Sequence, residues 1–527
     1  MRHVKIHFCL VTILLLFGAI DVSAELFAGS IFNDHMVLQH GKAIEVWGIA
    51  DPGETVRVQF AGQEQTAVTD GNGYWAATLA PLEINRTGED LTIVGTKKTI
   101  VRHDVVVGDV WLCSGQSNME MSFAWGLMDG NRFQQEANHP LIRHLKLTKR
   151  KLNTPDRSLY IDREWQACTP ASVQELSGVG YFFALELSKH LDIPIGLIDA
   201  SWSGCRIEPF FAPGAVDAEP GLEYIKQEIA QCDTRTPEGK RRAADVMEQI
   251  KKWYDLAQQS TPADPHPGVP PHFPTLLDVS FRQPLTQYNA MIAPMTNFPI
   301  KGVIWYQGCS NNGDSDYVEK MRALINGWRR AWNDDLPFYY VQLASLGGPP
   351  PDPAGGEGFA DMRRQQRQAL SIPNTAMVVT IDIGQWNDIH PKNKYDVGKR
   401  LALAALNRTY GIPMADSGPN YRSMRIEGNR IRIFFDHTDG GLKVGTKDGI
   451  NPVVFSSETK LNNFAIGDDQ GNWAWAEAWI EGDSVVVSSS AIAAPTKVRF
   501  AHCACPPNFN FYNGAGLPAV PFCTDLP

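Results

Sequence analysis

The sequence predicts an α/β fold: a doubly wound parallel sheet flanked by β-sandwich-like regions at its N- and C-terminal ends. Three observations carry that expectation. Between residues 104 and 415, short apolar strand-like runs alternate with segments of helical period, the pattern of successive βα units. Residues 25–103 and 416–527 show period-two alternation and turn chemistry, with no helix-length apolar period. The chain's 527 residues also exceed what one compact domain holds.

The chain opens with Arg2, His3 and Lys5, followed by an apolar run over residues 8–20 and then Val22-Ser23-Ala24. This is the layout of a secretory signal peptide cut after Ala24, so residues 1–24 are expected to be removed and the mature protein to be secreted or periplasmic. The run is too short to span a bilayer, and no later stretch is long and apolar enough, so no membrane contact is expected after cleavage. In residues 25–103, Ile44-Glu45-Val46-Trp47-Gly48 and Val56-Arg57-Val58-Gln59-Phe60 alternate apolar with polar, across an Asp51-Pro52-Gly53-Glu54 turn. From residue 104 strands are expected near 105–112, 195–200, 301–306, 338–343 and 376–381, and helices over 180–191, 318–332 and 397–406. Residues 212–285 interrupt this alternation with a charged helical stretch (238–258) and a Pro-rich segment (262–274), read as an insertion beside the substrate cleft or a solvated excursion. From 416 onward the β pattern returns, expected to form a sandwich that packs on the N-terminal β unit.

A net charge of −10 argues against a nucleic-acid partner. Hydrophobic residues at 43% and charged residues at 20% are ordinary for a globular chain. Outside the leader, cysteines stand at 113, 168, 205, 232, 309, 503, 505 and 523. An exported chain permits disulfides, but no paired C-x-x-C with histidine partners suggests zinc. Neither a metal nor an organic cofactor is expected.

The chemistry concentrates where predicted strands end. The first strand runs into Ser114-Gly115-Gln116-Ser117-Asn118-Met119. A serine nucleophile needs such a sharp turn, which exposes Oγ and points backbone N–H groups at a developing oxyanion. The second gives Ser201-Trp202-Ser203-Gly204-Cys205-Arg206, where a glycine lets a backbone N–H approach a substrate oxygen. The third gives Trp305-Tyr306-Gln307-Gly308-Cys309-Ser310-Asn311, whose neutral amides can donate to an oxyanion. The fourth gives Asp382-Ile383-Gly384-Gln385-Trp386-Asn387-Asp388-Ile389-His390-Pro391, a histidine closely preceded by a carboxylate, as an oriented base requires. Each loop alone also reads as an ordinary turn. A serine at one strand end makes the histidine at another meaningful.

Gly-Gln-Ser-Asn-Met, Trp-Tyr-Gln-Gly-x-Ser-Asn and Asp-Ile-His-Pro-x-Asn-Lys, in this order, resemble the sialate O-acetylesterase family, within the wider SGNH (GDSL-like) hydrolases and related to hemicellulose acetylesterases. Met36-Val37-Leu38-Gln39, Asn289-Ala290-Met291-Ile292-Ala293-Pro294 and Tyr512-Asn513-Gly514-Ala515-Gly516-Leu517-Pro518 extend the resemblance over nearly the whole mature chain. It implies an SGNH-type domain at 104–415 and a serine esterase acting on an O-acetylated sugar or oligosaccharide. Ser117 is then the nucleophile, His390 the base and Gly204 an oxyanion donor. Gln307 or Asn311 supplies a further amide, with Gln307 preferred. Gln116 and Arg206 join the binding set. The superfamily's aspartate, three residues before the histidine, is replaced by Asn387, so Asp388 is preferred as the orienting carboxylate, with Asn387 or Asp382 as alternatives. Convergence of the loops would also permit a Cys205–Cys309 disulfide.

Two substrates remain open. Sialic acid is anionic and would want Arg206, Lys392 or Lys394; neutral hemicellulose sugars would suit Trp125, Trp202, Trp305 and Trp386. An α/β-hydrolase lipase or peptidase would prefer Gly-x-Ser-x-Gly, and Met119 breaks that motif. A non-catalytic sugar-binding protein would leave Ser117 and His390 without a purpose.

Overall fold

The computed structural model describes residues 25–265, 267–268, 282–348 and 352–526. The expected signal peptide and part of the expected Pro-rich segment lie outside the described residues. The molecule is a mixed α/β protein with a large mixed sheet and flanking β regions. From one edge, the core of that sheet runs Ile161–Cys168, His139–Leu147, Ile195–Ser201, Thr99–Gly115, Gly302–Tyr306, Phe338–Val341 and Thr375–Val378. Ile161–Cys168 pairs antiparallel with His139–Leu147; every other neighbour in this run is parallel. The parallel strands read as unbroken apolar runs because both faces are covered. Ile195–Ser201 and Gly302–Tyr306 are buried at every residue.

The expected boundary at 103/104 falls inside one strand, Thr99–Gly115. Val37–Gln39 pairs parallel with it and Asn85–Val94 pairs antiparallel, so the N-terminal β strands extend the central sheet. A smaller sheet of Phe27–Ala28, Ile44–Ile49 and Tyr74–Leu79 stands apart from it.

Helices Gly178–Ser188 and Lys394–Arg408 pack on one another. A Cβ at Gly398 would lie 2.6 Å from the Val179 carbonyl oxygen, so this crossing needs glycine. Among the described residues, the interruption at 212–285 contains two helices, Glu223–Cys232 and Pro237–Gln259. Thr236 caps the longer one by accepting from the Gly239 N–H, and Pro237 sits in its first turn, where a missing N–H costs nothing.

The C-terminal β region forms three sheets of five, three and four strands among the described residues. Its polar anchors run to the α/β helices, not to the N-terminal unit expected as its partner. Arg367 donates to Asn420 Oδ1 at 2.9 Å and to the Tyr421 carbonyl at 3.0 Å. Lys447 pairs with Asp396 at 2.6 Å. Arg363, fully buried, donates to the Cys503 and Ala504 carbonyls, and burial pushes its guanidinium down to about 10. A helix surface that presents arginines needs carbonyl acceptors, and the loop at 503–504 supplies them.

Candidate active site

Three strands end at one level. Gly115 lies beside Ser201 on one side and Tyr306 on the other. Their exits are stitched together: the Trp202 N–H donates to the Gly115 carbonyl at 3.0 Å, and the Gln116 N–H to the Tyr306 carbonyl at 2.9 Å. Gly115 has φ +128, and a Cβ there would meet the Tyr306 oxygen at 2.3 Å. Only glycine lets the chain turn between its neighbours. Ser117 therefore opens the short helix Ser117–Glu120 immediately beyond the sheet. Ser177 Oγ donates to the Met119 carbonyl at 2.6 Å and fixes that turn from below.

His390 arrives on the loop beyond Thr375–Val378, and its Nε2 lies 2.8 Å from Ser117 Oγ. The nucleophile and base expected from the sequence thus stand in hydrogen-bond contact, 273 residues apart in the chain. Burial, followed by the nearby Lys394, holds the imidazole below its ordinary value, while Asp388 opposes this. The ring is neutral at pH 7 and able to accept a proton. The Trp125 ring meets it edge-on, 5.8 Å between centroids.

The loop is locked by Asn118, not singled out from sequence, and by Lys394, expected only as a partner for an anionic sugar. Asn118 Nδ2 donates to the Ile389 carbonyl at 2.9 Å, and Asn118 Oδ1 accepts from Lys394 Nζ at 2.6 Å. Lys394 is buried, and burial pushes its ammonium down to about 7. Asn118 and Lys394 both lie in the quoted motifs, and this amide bridge joins the two motifs to each other.

Asp388 does not meet the imidazole as a triad acid would. Its Oδ1 accepts the backbone N–H of His390 at 2.8 Å, which holds its carboxyl below the usual range. Its other oxygen lies 3.6 Å from Lys392 Nζ. Among the described residues, Ser117 is the only hydrogen-bond partner of the His390 ring. Asn387 is exposed, and Asp382 is held by both Arg400 nitrogens at 2.7 Å.

Gly204 adopts φ +75, the left-handed region that favours glycine. Just before it, the Ser203 N–H donates to Glu120 Oε2 at 2.7 Å, while Lys149 holds the other oxygen of that carboxylate. Among the described residues, neither the Ser117 N–H nor the Gly204 N–H has an acceptor. Gln116 accepts the Gly308 N–H through Oε1 at 3.1 Å, and its Nε2 likewise has no acceptor among the described residues.

The amides expected to reach the oxyanion are differently placed. Gln307 Nε2 donates to the Cys205 carbonyl at 3.2 Å and to Asn311 Oδ1 at 2.7 Å, and Gln307 Oε1 accepts from Tyr317 at 2.7 Å. Asn311 Nδ2 donates to Glu208 at 3.1 Å and to Asp314 at 2.9 Å. Both side chains are wholly buried, and their N–H groups are taken. Arg206 faces the same cluster, donating to Glu208 at 2.9 Å, Asp314 at 2.7 Å and the Ser310 carbonyl at 3.0 Å. These three residues tie the second and third loops together rather than presenting open groups.

No disulfide joins Cys205 to Cys309; both are free thiols. Cys205 Sγ is engaged by Gln287 Nε2 at 3.2 Å, whereas Cys309 shares a small cavity with Tyr306, Leu343 and Asp388. Of the four tryptophans, Trp125 is exposed against His390 and Trp386 is exposed on the same loop, while Trp305 is buried and Trp202 half-buried. Among the described residues, no group of three or more His, Cys, Asp or Glu is placed to hold a metal ion, and no helix is long and apolar enough to cross a membrane.

A hydroxyl in contact with a neutral imidazole, beside open N–H groups, can attack a carbonyl and hold the resulting charge. Comparison with known proteins agrees with that chemistry. The model of the family described as carbohydrate esterase, sialic acid-specific acetylesterase, matches residues 276–407. Sialate O-acetylesterase of Mus musculus is 29% identical over 419 residues, covering 72% of this chain and 73% of that protein. The Homo sapiens sialate O-acetylesterase is 29% identical over 421 residues, covering 73% and 71%. A crystal structure of a carbohydrate acetylesterase from Xanthomonas citri superposes with a TM-score of 0.77 at 31% identity, over 95% of this chain and 99% of that one. This chain belongs to the carbohydrate acetylesterases, is similar to the sialate O-acetylesterases, and is a carboxylic ester hydrolase.

Proposed function

We propose that the protein is a serine O-acetylesterase of SGNH type, exported by its N-terminal apolar run, that removes acetyl groups from O-acetylated sugars, with O-acetylated sialic acid as its substrate. The observation that carries the reading is the 2.8 Å contact between Ser117 Oγ and His390 Nε2 beside unpaired N–H groups. His390 takes the Ser117 proton as Oγ attacks the acetyl carbonyl. The N–H groups of Ser117 and Gly204 receive the oxyanion, with Gln116 Nε2 as the side-chain donor. His390 then protonates the sugar oxygen as its bond to the acetyl carbon breaks, so that it leaves as a hydroxyl. Water, deprotonated by the same imidazole, releases acetate from Ser117.

The sialic-acid assignment draws on the family model and the mammalian relatives. One observation favours acetylated hemicellulose as a second reading: the cations near the site are committed. Arg206 pairs with Glu208 and Asp314, Lys394 is buried on Asn118, and Lys392 leans on Asp388. Meanwhile Trp125 is exposed against the His390 ring, and Trp386 is exposed on the loop that carries His390. Acetate release from O-acetylated sialic acid, acetylated xylan and acetylated xyloglucan oligosaccharides separates the two. Turnover of all three, and of 4-nitrophenyl acetate, should disappear in Ser117→Ala; a Ser117→Ala protein that still hydrolyses them would overturn the mechanism.

A further inference from the structure

The C-terminal β region carries an open groove of about 450 Å³ that the esterase chemistry does not use. Its volume lies within the roughly 300–1,000 Å³ of small-ligand sites. Trp475, 45% exposed, lines it together with Asn462, Asn463 and Asn508. Asn463 and Asn508 adopt φ +66 and +48, a backbone state that persists where surroundings over-determine it. Two hydrogen bonds do so. Asn463 Nδ2 donates to the Pro507 carbonyl at 3.0 Å, and Asn462 Nδ2 to the Asn508 carbonyl at 2.9 Å. The amide nitrogens thus build the wall. Among the described residues, the Oδ1 atoms of Asn462 and Asn463 and the Trp475 indole N–H have no partner.

Lys460 and Glu477 also line the groove, 3.6 Å apart, so their charges offset one another. The lining therefore combines an exposed aromatic face, free neutral acceptors and no net charge. A pyranose ring is complementary to this: its C–H face is apolar and suits the negative face of an indole, and its hydroxyls donate to amide oxygens. A neighbouring cleft, lined by Asp352, Pro353, Asn463 and Trp475, adjoins the groove.

We propose that this groove is a second, non-catalytic carbohydrate site that holds a neutral oligosaccharide stacked on Trp475. The test is calorimetric titration of the full mature protein with cellohexaose and with unacetylated xyloglucan oligosaccharides. Neither probe carries an ester, so binding is read independently of turnover. Saturable binding is expected, weakened about tenfold or more in Trp475→Ala and largely restored in Trp475→Phe. Turnover of 4-nitrophenyl acetate should be unchanged in both variants. The side chain is half exposed, so an unchanged Tm serves as the folding control. The proposal is overturned if the wild-type protein binds neither probe, if Trp475→Ala binds as well as wild type, or if only sialylated oligosaccharides bind. Failure of the esterase reading would appear instead as absent ester hydrolysis, with this titration still interpretable.

Discussion

The two sides of the cleft differ in how their polar groups are satisfied. On the Ser117–His390 side, the hydroxyl meets only the imidazole, and the N–H groups of Ser117 and Gly204 have no acceptor among the described residues. On the other side the Gln307 and Asn311 amide N–H groups are spent, within a cluster that includes Glu208, Asp314, Arg206 and Lys320. Buried polar groups must be paired. A group that is fully paired before substrate arrives has nothing left to offer a transition state. In the proposed mechanism, reacting and supporting residues therefore separate by open valence.

The largest effect expected from this contrast is at the base. His390→Ala should lower kcat on 4-nitrophenyl acetate by about 10²–10⁴-fold, the usual worth of general-base catalysis. A fall of less than tenfold would mean that another group takes the Ser117 proton.

A smaller effect is expected at Asp388. In a Ser-His-Asp triad with a ring-bonded carboxylate, replacing the acid by its amide costs about 10⁴ in kcat. Here Asp388 accepts the backbone N–H of His390 and acts on the ring through space. Asp388→Asn should therefore cost about tenfold or less. The sign of its pH effect also follows. The base must be unprotonated, so activity is lost as pH falls through the His390 pKa, which burial holds below the ordinary value. Asp388 raises that pKa, so removing its charge should move the acid limb of the kcat/KM profile to lower pH. A shift to higher pH, or a loss near 10⁴, would restore Asp388 to the triad role.

Much of the parallel sheet was legible because buried strands are short apolar runs between polar loops. Gly302–Tyr306 and Ile195–Ser201 read directly from their residues. Helix Ala360–Gln368 did not, because most of its buried face is polar: Arg363, Gln365 and Gln366, beside Ala360 and Met362, are satisfied by carbonyls and amides that no periodicity reveals. The continuity of Thr99–Gly115 through the expected boundary was hidden for a related reason. A strand that serves two sheet regions changes its burial along its length while its backbone does not change. At the site, Ser117 and His390 stood out because a nucleophile needs a base. The commitment of Gln307, Asn311 and Arg206 to one another depends on distances across loops. Sequence spacing does not carry that information, and the preference for Gln307 as oxyanion donor was made without it. The Asn118–Lys394 bridge was concealed similarly, since each residue taken alone reads as ordinary motif polarity.

The contrast is tested most directly at Gln307, by measuring kcat on 4-nitrophenyl acetate and denaturant stability on the same Gln307→Ala preparation. Removing a paired amide from a buried network should cost about 1–3 kcal/mol of stability while kcat stays within about tenfold of wild type. An oxyanion donor would behave in the opposite way: a kcat loss of about 10²–10³-fold with stability unchanged would contradict the division between open and committed groups.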